Sequence, residues 1–235
     1  MKGIPDKSID MILCDLPYGT TACKWDTIIP FEPLWEQYKR IIKDNGAIVL
    51  TASQPFTSAL VMSNIKMFKY EWIWEKAIGA NPLLCKKQPM KYHENILIFY
   101  KKCPTCNPQM VKGKLRDKKP QMFGNKKDEN WNGAMRNFKG ETNINNLYYP
   151  RSYQYFSNAN QKSKQHSTQK PVALFKYLIK TYTNKGDLVL DNCAGSGTTG
   201  VACINTKRNY VLIEKDKKYC QIARDRLNAT EQPLF

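Results

Sequence analysis

No stretch of this chain stays apolar for anything near the roughly 20 residues that a membrane-spanning helix needs. Nor does Met1-Lys2-Gly3-Ile4-Pro5-Asp6 open a charged-then-apolar secretory pattern. A soluble, cytoplasmic protein is expected. Negative charge is scarce as well: 20 Asp and Glu face 37 Lys and Arg, a net charge of +17. An excess of that size serves a polyanionic partner more than it serves a fold. The eight cysteines do not form a disulfide framework. Cys14, Cys193 and Cys203 sit in apolar segments, where a reduced thiol behaves as a small hydrophobe. Cys103 and Cys106 have zinc-knuckle spacing, but a structural zinc site needs four ligands. Cys85 and His93 supply no second close pair, so no metal site is expected. No internal repeat is visible, and 235 residues suffice for one α/β domain with a sizeable insertion.

What the chain does have is alternation. Ile9 to Cys14 reads as a buried parallel strand that runs into Asp15 and the breakers Pro17 and Gly19. Phe31 to Lys43 has helical apolar spacing and stops at Asn45-Gly46, and Ala47 to Thr51 is the next strand. A helix over Pro55 to Met67 and strands over Tyr70 to Glu75 and Asn95 to Tyr100 follow. From Lys101 to Lys164 the periodicity fails, and fourteen basic residues there meet four acidic ones. A stretch that long without regular structure is uncommon in a compact domain unless it has a function. Order resumes with a helix over Val172 to Tyr182 and the strand Leu188 to Asp191. A glycine loop, a helix over Thr199 to Asn205, the strand Tyr210 to Glu214 and a helix over Lys217 to Asn228 complete the chain. This order predicts an α/β, Rossmann-like fold: a mostly parallel twisted sheet with helices on both faces.

Asp191-Asn192-Cys193-Ala194-Gly195-Ser196-Gly197-Thr198-Thr199-Gly200 lies between a strand and a helix, as a nucleotide-binding turn does. Glu214, at the end of the next strand, can accept both ribose hydroxyls. The spacing also satisfies the dinucleotide fingerprint, which keeps an NAD enzyme as a rival. Against NAD, too little chain follows Gly200 for a second nucleotide-binding half. Asp191 also suits a cationic end on the ligand, such as the α-amino group of S-adenosylmethionine.

Asp15-Leu16-Pro17-Tyr18 stands at the carboxyl edge of the expected sheet, where doubly wound folds build sites. An exocyclic amino group on adenine or cytosine is a poor nucleophile, because its lone pair is delocalised into the ring. A carboxylate and a backbone carbonyl that accept its two N–H bonds favour a pyramidal nitrogen with a free lone pair. Tyr18 offers a face on which an extruded base can stack.

Together with His166-Ser167-Thr168-Gln169-Lys170-Pro171, these strings resemble the amino-group DNA methyltransferases that act at adenine N(6) or cytosine N(4). Their order resembles the circularly permuted β group, with the acceptor motif first and the cofactor motifs last. The resemblance implies a methyltransferase fold in one domain: an acceptor half over 1–100, a target-recognition region over 101–165 and a cofactor half over 166–235. It implies Asp15, Pro17 and Tyr18 as the catalytic set. It places Thr168 and Lys170 near the methionine carboxylate of S-adenosylmethionine, and Asp191 near its amino group. Gly195, Ser196, Gly197 and Thr198 would form the cofactor loop, with Glu214 on the ribose.

Duplex DNA is the implied partner, with base flipping to expose the target. Arg116, Lys118, Lys119, Gln121, Asn125, Arg136 and Arg151 are the candidate DNA contacts, phosphates giving affinity and base edges sequence choice. A homodimer is compatible with the resemblance. Because the motif opens with Asp15, adenine is the expected base, with cytosine N(4) the alternative. Leu16 replaces the usual first proline of the motif, and Asn192-Cys193 replace a Pro-Phe pair beside the cofactor. Those departures keep a catalytically impaired DNA-binding relative as another reading. Relatives carry a strand and an acidic turn upstream of the segment resembling Met1 to Asp6, which leads us to expect weak S-adenosylmethionine binding here. Enzymes that methylate RNA or protein glutamine share a similar acceptor string, but their cofactor loop comes before it.

Overall fold

The computed structural model describes residues 1–21, 23, 26–118, 143–159 and 169–231. In chain order its strands are β1 (Ile9–Asp15), β2 (Ile42–Ala52), β3 (Phe68–Ala80), β4 (Lys91–Phe99), β5 (Val111–Lys118), β6 (Asn143–Tyr148), β7 (Tyr153–Tyr155), β8 (Leu188–Asp191) and β9 (Asn209–Leu212). The α-helices are α1 (Phe31–Ile41), α2 (Phe56–Ser63), α3 (Val172–Tyr182), α4 (Thr198–Thr206) and α5 (Lys217–Glu231).

Seven strands form one sheet in the order β7-β3-β4-β2-β1-β8-β9. Its ladders are parallel except where β4 runs against β2 and β3. The fold is thus α/β with a mostly parallel sheet, as expected. β1 reads as an unbroken apolar run because both of its faces are covered. Ile9, Ile12 and Cys14 pack with Leu34, Trp35, Tyr38 and Ile41 of α1 and with Phe56 and Leu60 of α2. Met11 and Leu13 point the other way, into Leu174, Phe175, Leu178 and Ile179 of α3 and Ala202 and Cys203 of α4. Helices therefore cover both faces, and the strand ends carrying Asp15 and Asp191 share one edge. Asp10 ties the opposite ends together: it pairs with Lys43 of β2 at 2.6 Å and accepts the Leu188 amide of β8 at 3.0 Å.

Several elements depart from the sequence pattern. β2 begins at Ile42, directly after α1, because Ile42 pairs with Ile9 of β1; the pattern had kept those residues in the helix and its turn. α2 stops at Ser63 rather than running to Met67, since Asn64 leaves helical geometry at φ −154° and ψ 58°. The stretch after Lys101 is not without regular structure. It contains the antiparallel pair β5–β6, and also β7, which adds in parallel to β3 beside Ile73 to Glu75. That pair gives no apolar period because it has little to bury: Val111, Leu115 and Leu147 are all exposed.

The chain divides into two compact units, one of residues 1–107 with 151–235 and the other of residues 108–150. Asn107 closes the first against the end of α3, its amide donating to Thr181 O at 2.8 Å. Among the described residues no helix is long and apolar enough to cross a membrane, and no three His, Cys, Asp or Glu side chains cluster as metal ligands.

Candidate active site

β1 delivers Asp15 at its carboxyl end, directly opposite Thr51 of β2. Asp15 Oδ1 accepts the Tyr18 hydroxyl at 2.8 Å and also the Thr51 hydroxyl. Tyr18 Oη lies 3.1 Å from Thr51 Oγ1, and its ring stacks on Phe56 at 5.3 Å between centroids. Burial, then the charges of Asp15 and Glu94, push the Tyr18 phenol well above its ordinary pKa, so it stays protonated. Leu16 is buried at 3% exposure, so packing holds the turn where the usual proline would stiffen it.

The other carboxylate oxygen, Asp15 Oδ2, meets the Lys170 ammonium at 2.7 Å. Lys170 also faces Glu94 of β4 at 3.3 Å, and Glu94 pairs with Lys76 of β3 at 3.2 Å. Both lysine side chains are almost fully buried, at 8% and 7% exposure. Burial alone would lower the Lys170 pKa, but Asp15 and Glu94 outweigh it and hold the value above the ordinary range. Burial likewise works against Glu94 ionising, and Lys170 and Lys76 reverse it and hold that pKa low. Lys170 precedes Pro171, which disfavours helical backbone at that position, and α3 starts only at Val172. Pattern reading missed Glu94 and Lys76. Each strand holds other charged residues (Lys69, Glu71 and Glu75 in β3, Lys91 in β4), so nothing in the pattern marked these two.

At the neighbouring strand end, β8 finishes in Asp191, buried at 3% exposure. Its carboxylate accepts the Thr199 hydroxyl and the Cys193 amide, the latter at 3.0 Å. Burial first, with a contribution from the nearby Asp15 charge, pushes its pKa up to about 6. The loop turns through left-handed backbone at Gly195 (φ +51°) and Gly197 (φ +79°). A Cβ on Gly197 would stand 3.0 Å from the Ala223 Cβ of α5, whereas one on Gly195 would meet nothing within 4 Å. The glycine at 197 thus admits α5, and the open side at 195 leaves room for a ligand.

Glu214 lies two residues beyond β9 and holds the loop: Oε2 accepts the Gly195 amide at 2.8 Å, and Oε1 accepts the amides of Lys215 and Asp216. Ser196 Oγ bonds Gln169 at 2.9 Å, and Arg226 of α5 donates to Ser196 Oγ at 2.8 Å. Thr198, also within reach of Arg226, is buried. Asn192 Oδ1 takes the Tyr38 hydroxyl at 2.6 Å, filling its place with a polar contact to α1.

The structure therefore brings Asp15, Tyr18 and Lys170 together and gathers Gly195, Ser196, Gly197 and Thr198 in the turn after Asp191, with Glu214 bonded to it from beyond β9. Pro17 sits in the turn between Asp15 and Tyr18. Lys170, expected near the methionine carboxylate, is instead paired with the carboxylates of Asp15 and Glu94. Thr168, Lys119, Gln121, Asn125 and Arg136 lie outside the described residues. Arg116 and Lys118 fall on β5, and Arg151 donates to the Tyr153 hydroxyl. A family model described as DNA methylase, of the N6/N4 type, matches residues 9–225.

The chain belongs to the N6/N4 DNA methylase family. Among its relatives, Type II methyltransferase M.HpaI of Haemophilus parainfluenzae is 27% identical over 97% of this chain and 71% of its own length. DNA adenine methyltransferase YhdJ of Escherichia coli (strain K12) is 28% identical over 97% of this chain and 79% of its own. The crystal structure of the M1.HpyAVI–SAM complex matches with a TM-score of 0.61 at 24% identity, covering 94% of this chain and 90% of that one. The cytosine-N4-specific PvuII DNA methyltransferase matches with a TM-score of 0.64 at 14% identity, covering 97% and 86%. The methyltransferase fold is common to these structures and this N6/N4 family member.

Proposed function

We propose that this DNA methylase transfers a methyl group from S-adenosylmethionine to the exocyclic amino group of adenine, flipped out of duplex DNA. The observation that carries the reading is Asp15, bonded to Tyr18 and Thr51 and paired with Lys170, at the same sheet edge as Asp191 and the glycine loop. S-adenosylmethionine supplies an electrophilic methyl group. Asp191, the open backbone at Gly195 and the loop through Ser196, Gly197 and Thr198 would hold it, with Glu214 and Thr168 as further contacts. A buried carboxylate beside an unfilled glycine face fits a ligand with a cationic amino end.

The protein's own contribution is to position and polarise the acceptor. Asp15 accepts one N–H of the amino group and a backbone carbonyl of Leu16-Pro17 the other, which frees the nitrogen lone pair. Positioning of this kind supplies roughly 7–11 kcal/mol of barrier reduction in well-oriented systems. With that methyl donor bound, the freed lone pair of the amino nitrogen would be the nucleophile, and the surplus proton on nitrogen would pass to solvent after transfer, so no base need act first. Lys170, 2.7 Å from Asp15 Oδ2, balances the charge of that carboxylate.

Adenine is favoured because the acceptor motif opens with Asp15 and because the relative YhdJ, alike over 97% of this chain, is a DNA adenine methyltransferase. Within this reading the motif order is that of the β-group permutation, and residues 101–165 recognise the target. Arg116, Lys118, Lys119, Gln121, Asn125, Arg136 and Arg151 are its candidate DNA contacts. A homodimer acting at the nucleoid belongs to the same reading, and sedimentation of the purified chain tests the dimer.

Incubation with isotopically labelled S-adenosylmethionine and mixed-sequence duplex DNA, followed by nucleoside mass spectrometry, tests the proposal. N(6)-methyladenine is the expected product. N(4)-methylcytosine would move the assignment to the other base of the family. DNA binding without either product would make this chain an impaired, DNA-binding relative.

A further inference from the structure

Lys76, Glu94, Lys170 and Asp15 form a row of alternating charge that crosses from β3 through β4 to β1. Three ion pairs join them, at 3.2, 3.3 and 2.7 Å. Trp74 is the β3 residue opposite Glu94, so Lys76 lies two residues along the same face, its ammonium 5.9 Å from the Trp74 ring centre. Burying four charges is a poor route to stability, because apolar replacements of similar shape are often as stable or more so. The row also ends on the carboxylate that the reaction uses, not on a surface.

Glu94 Oε1 takes the hydrogen bond from Lys76. Its Oε2 is buried and meets Lys170 as an ion pair, without a well-directed hydrogen bond. Glu94 thus competes with Asp15 for one ammonium. Remove its charge and Lys170 falls wholly to Asp15, whose Oδ2 is then less able to accept from a substrate.

We infer that Glu94, backed by Lys76, is a positioning residue for methyl transfer: it shares the Lys170 ammonium with Asp15 and so sets that carboxylate's orientation and accepting strength. The inference rests on the reading of Asp15 as the acceptor of the target amino group. The groups facing Lys170 are Asp15 of β1, Tyr18 of the following turn and Glu94 of β4, with Lys76 of β3 beyond Glu94. Lys91 of β4 also senses the Glu94 charge.

The test is Glu94→Gln in the full-length protein, with Glu94→Asp as the conservative partner. Glu94→Gln is expected to lower kcat about tenfold or more, less than loss of a directly interacting group, while KM for DNA and the dissociation constant for S-adenosylmethionine stay within about twofold. Glu94→Asp should restore part of the rate. In parallel, NMR titration of nitrogen-15-labelled lysine side chains, with Lys170 assigned through Lys170→Arg, should show the Lys170 pKa falling in Glu94→Gln. An unmoved Lys170 titration would overturn the inference, whatever the size of the rate loss. Loss of cofactor binding along with the rate would also overturn it, by assigning Glu94 to the fold. If the unaltered chain methylates no DNA, the reading of the site fails, while the lysine titration still decides whether Glu94 governs Lys170.

Discussion

The two halves of the site are held by different physics. On the acceptor side, Asp15, Glu94, Lys76 and Lys170 come from segments far apart in the chain and meet as buried ion pairs. On the cofactor side, Asp191, Gly195 and Glu214 come from one run of chain and are held mostly by backbone amides and a hydroxyl. The signs of their pH dependence differ accordingly. Glu94, held below its ordinary pKa, contributes stability present above its unfolded pKa and lost as pH falls through the folded one. Lys170, held above its ordinary pKa, contributes stability present below its unfolded pKa and lost as pH rises through the folded one. Asp191 does the reverse of Glu94. The folded chain keeps its proton up to about pH 6 where the unfolded chain releases it near 3.8, so stability falls as pH rises across that window. The row that ends on Asp15 is self-compensating; the Asp191 carboxylate is a strain that a cationic ligand would relieve.

Lys170→Met should break the comparison most sharply, since it leaves Asp15 and Glu94 without their shared cation. Breaking a buried pair in this way costs on the order of 3 kcal/mol of stability, and methyl transfer should fall about 100-fold. Chemical unfolding and steady-state rates measure the two, and near-wild-type values for both would remove the row from the account. Asp191→Asn should do the opposite to the free protein. It relieves a penalty of up to about 3 kcal/mol at neutral pH, so the melting temperature at pH 8 rises and its decline between about pH 4 and 6 flattens. Cofactor affinity, read by calorimetry, should fall at the same time. A pH dependence unchanged from wild type would show that Asp191 is not the strained group. Smallest are the loop glycines. Gly197→Ala meets both the left-handed backbone and Ala223 and should lose about 2 kcal/mol. Gly195→Ala meets only the backbone preference and should lose about 1 kcal/mol. Equal losses in denaturant titrations would mean that α5 does not crowd the loop as described.

How much of this was legible in the sequence follows from the same contrast. α3 and β8 fall on the residues their pattern predicts, and the glycine loop was readable because its partners are near in sequence. Asp15 and Tyr18 were readable because they share one turn. Glu94 and Lys76 were not, since their meeting depends on β3 pairing antiparallel with β4 and on Lys170 arriving from beyond residue 160. The start of β2 at Ile42 was hidden for a similar reason: its pairing with Ile9 overrides a helical apolar spacing. The β5–β6 pair left no trace because a ladder with exposed apolar positions has no reason to alternate.

The most direct test of the account separates the halves within one variant. Asp15→Ala should lower the single-turnover rate of methyl transfer to duplex DNA by at least about 100-fold, while the S-adenosylmethionine dissociation constant, measured on the same preparation, stays within a few-fold of wild type. A variant that keeps its rate would contradict the assignment of Asp15 as acceptor. One that loses rate and cofactor together would contradict the division of the site into two independently held halves.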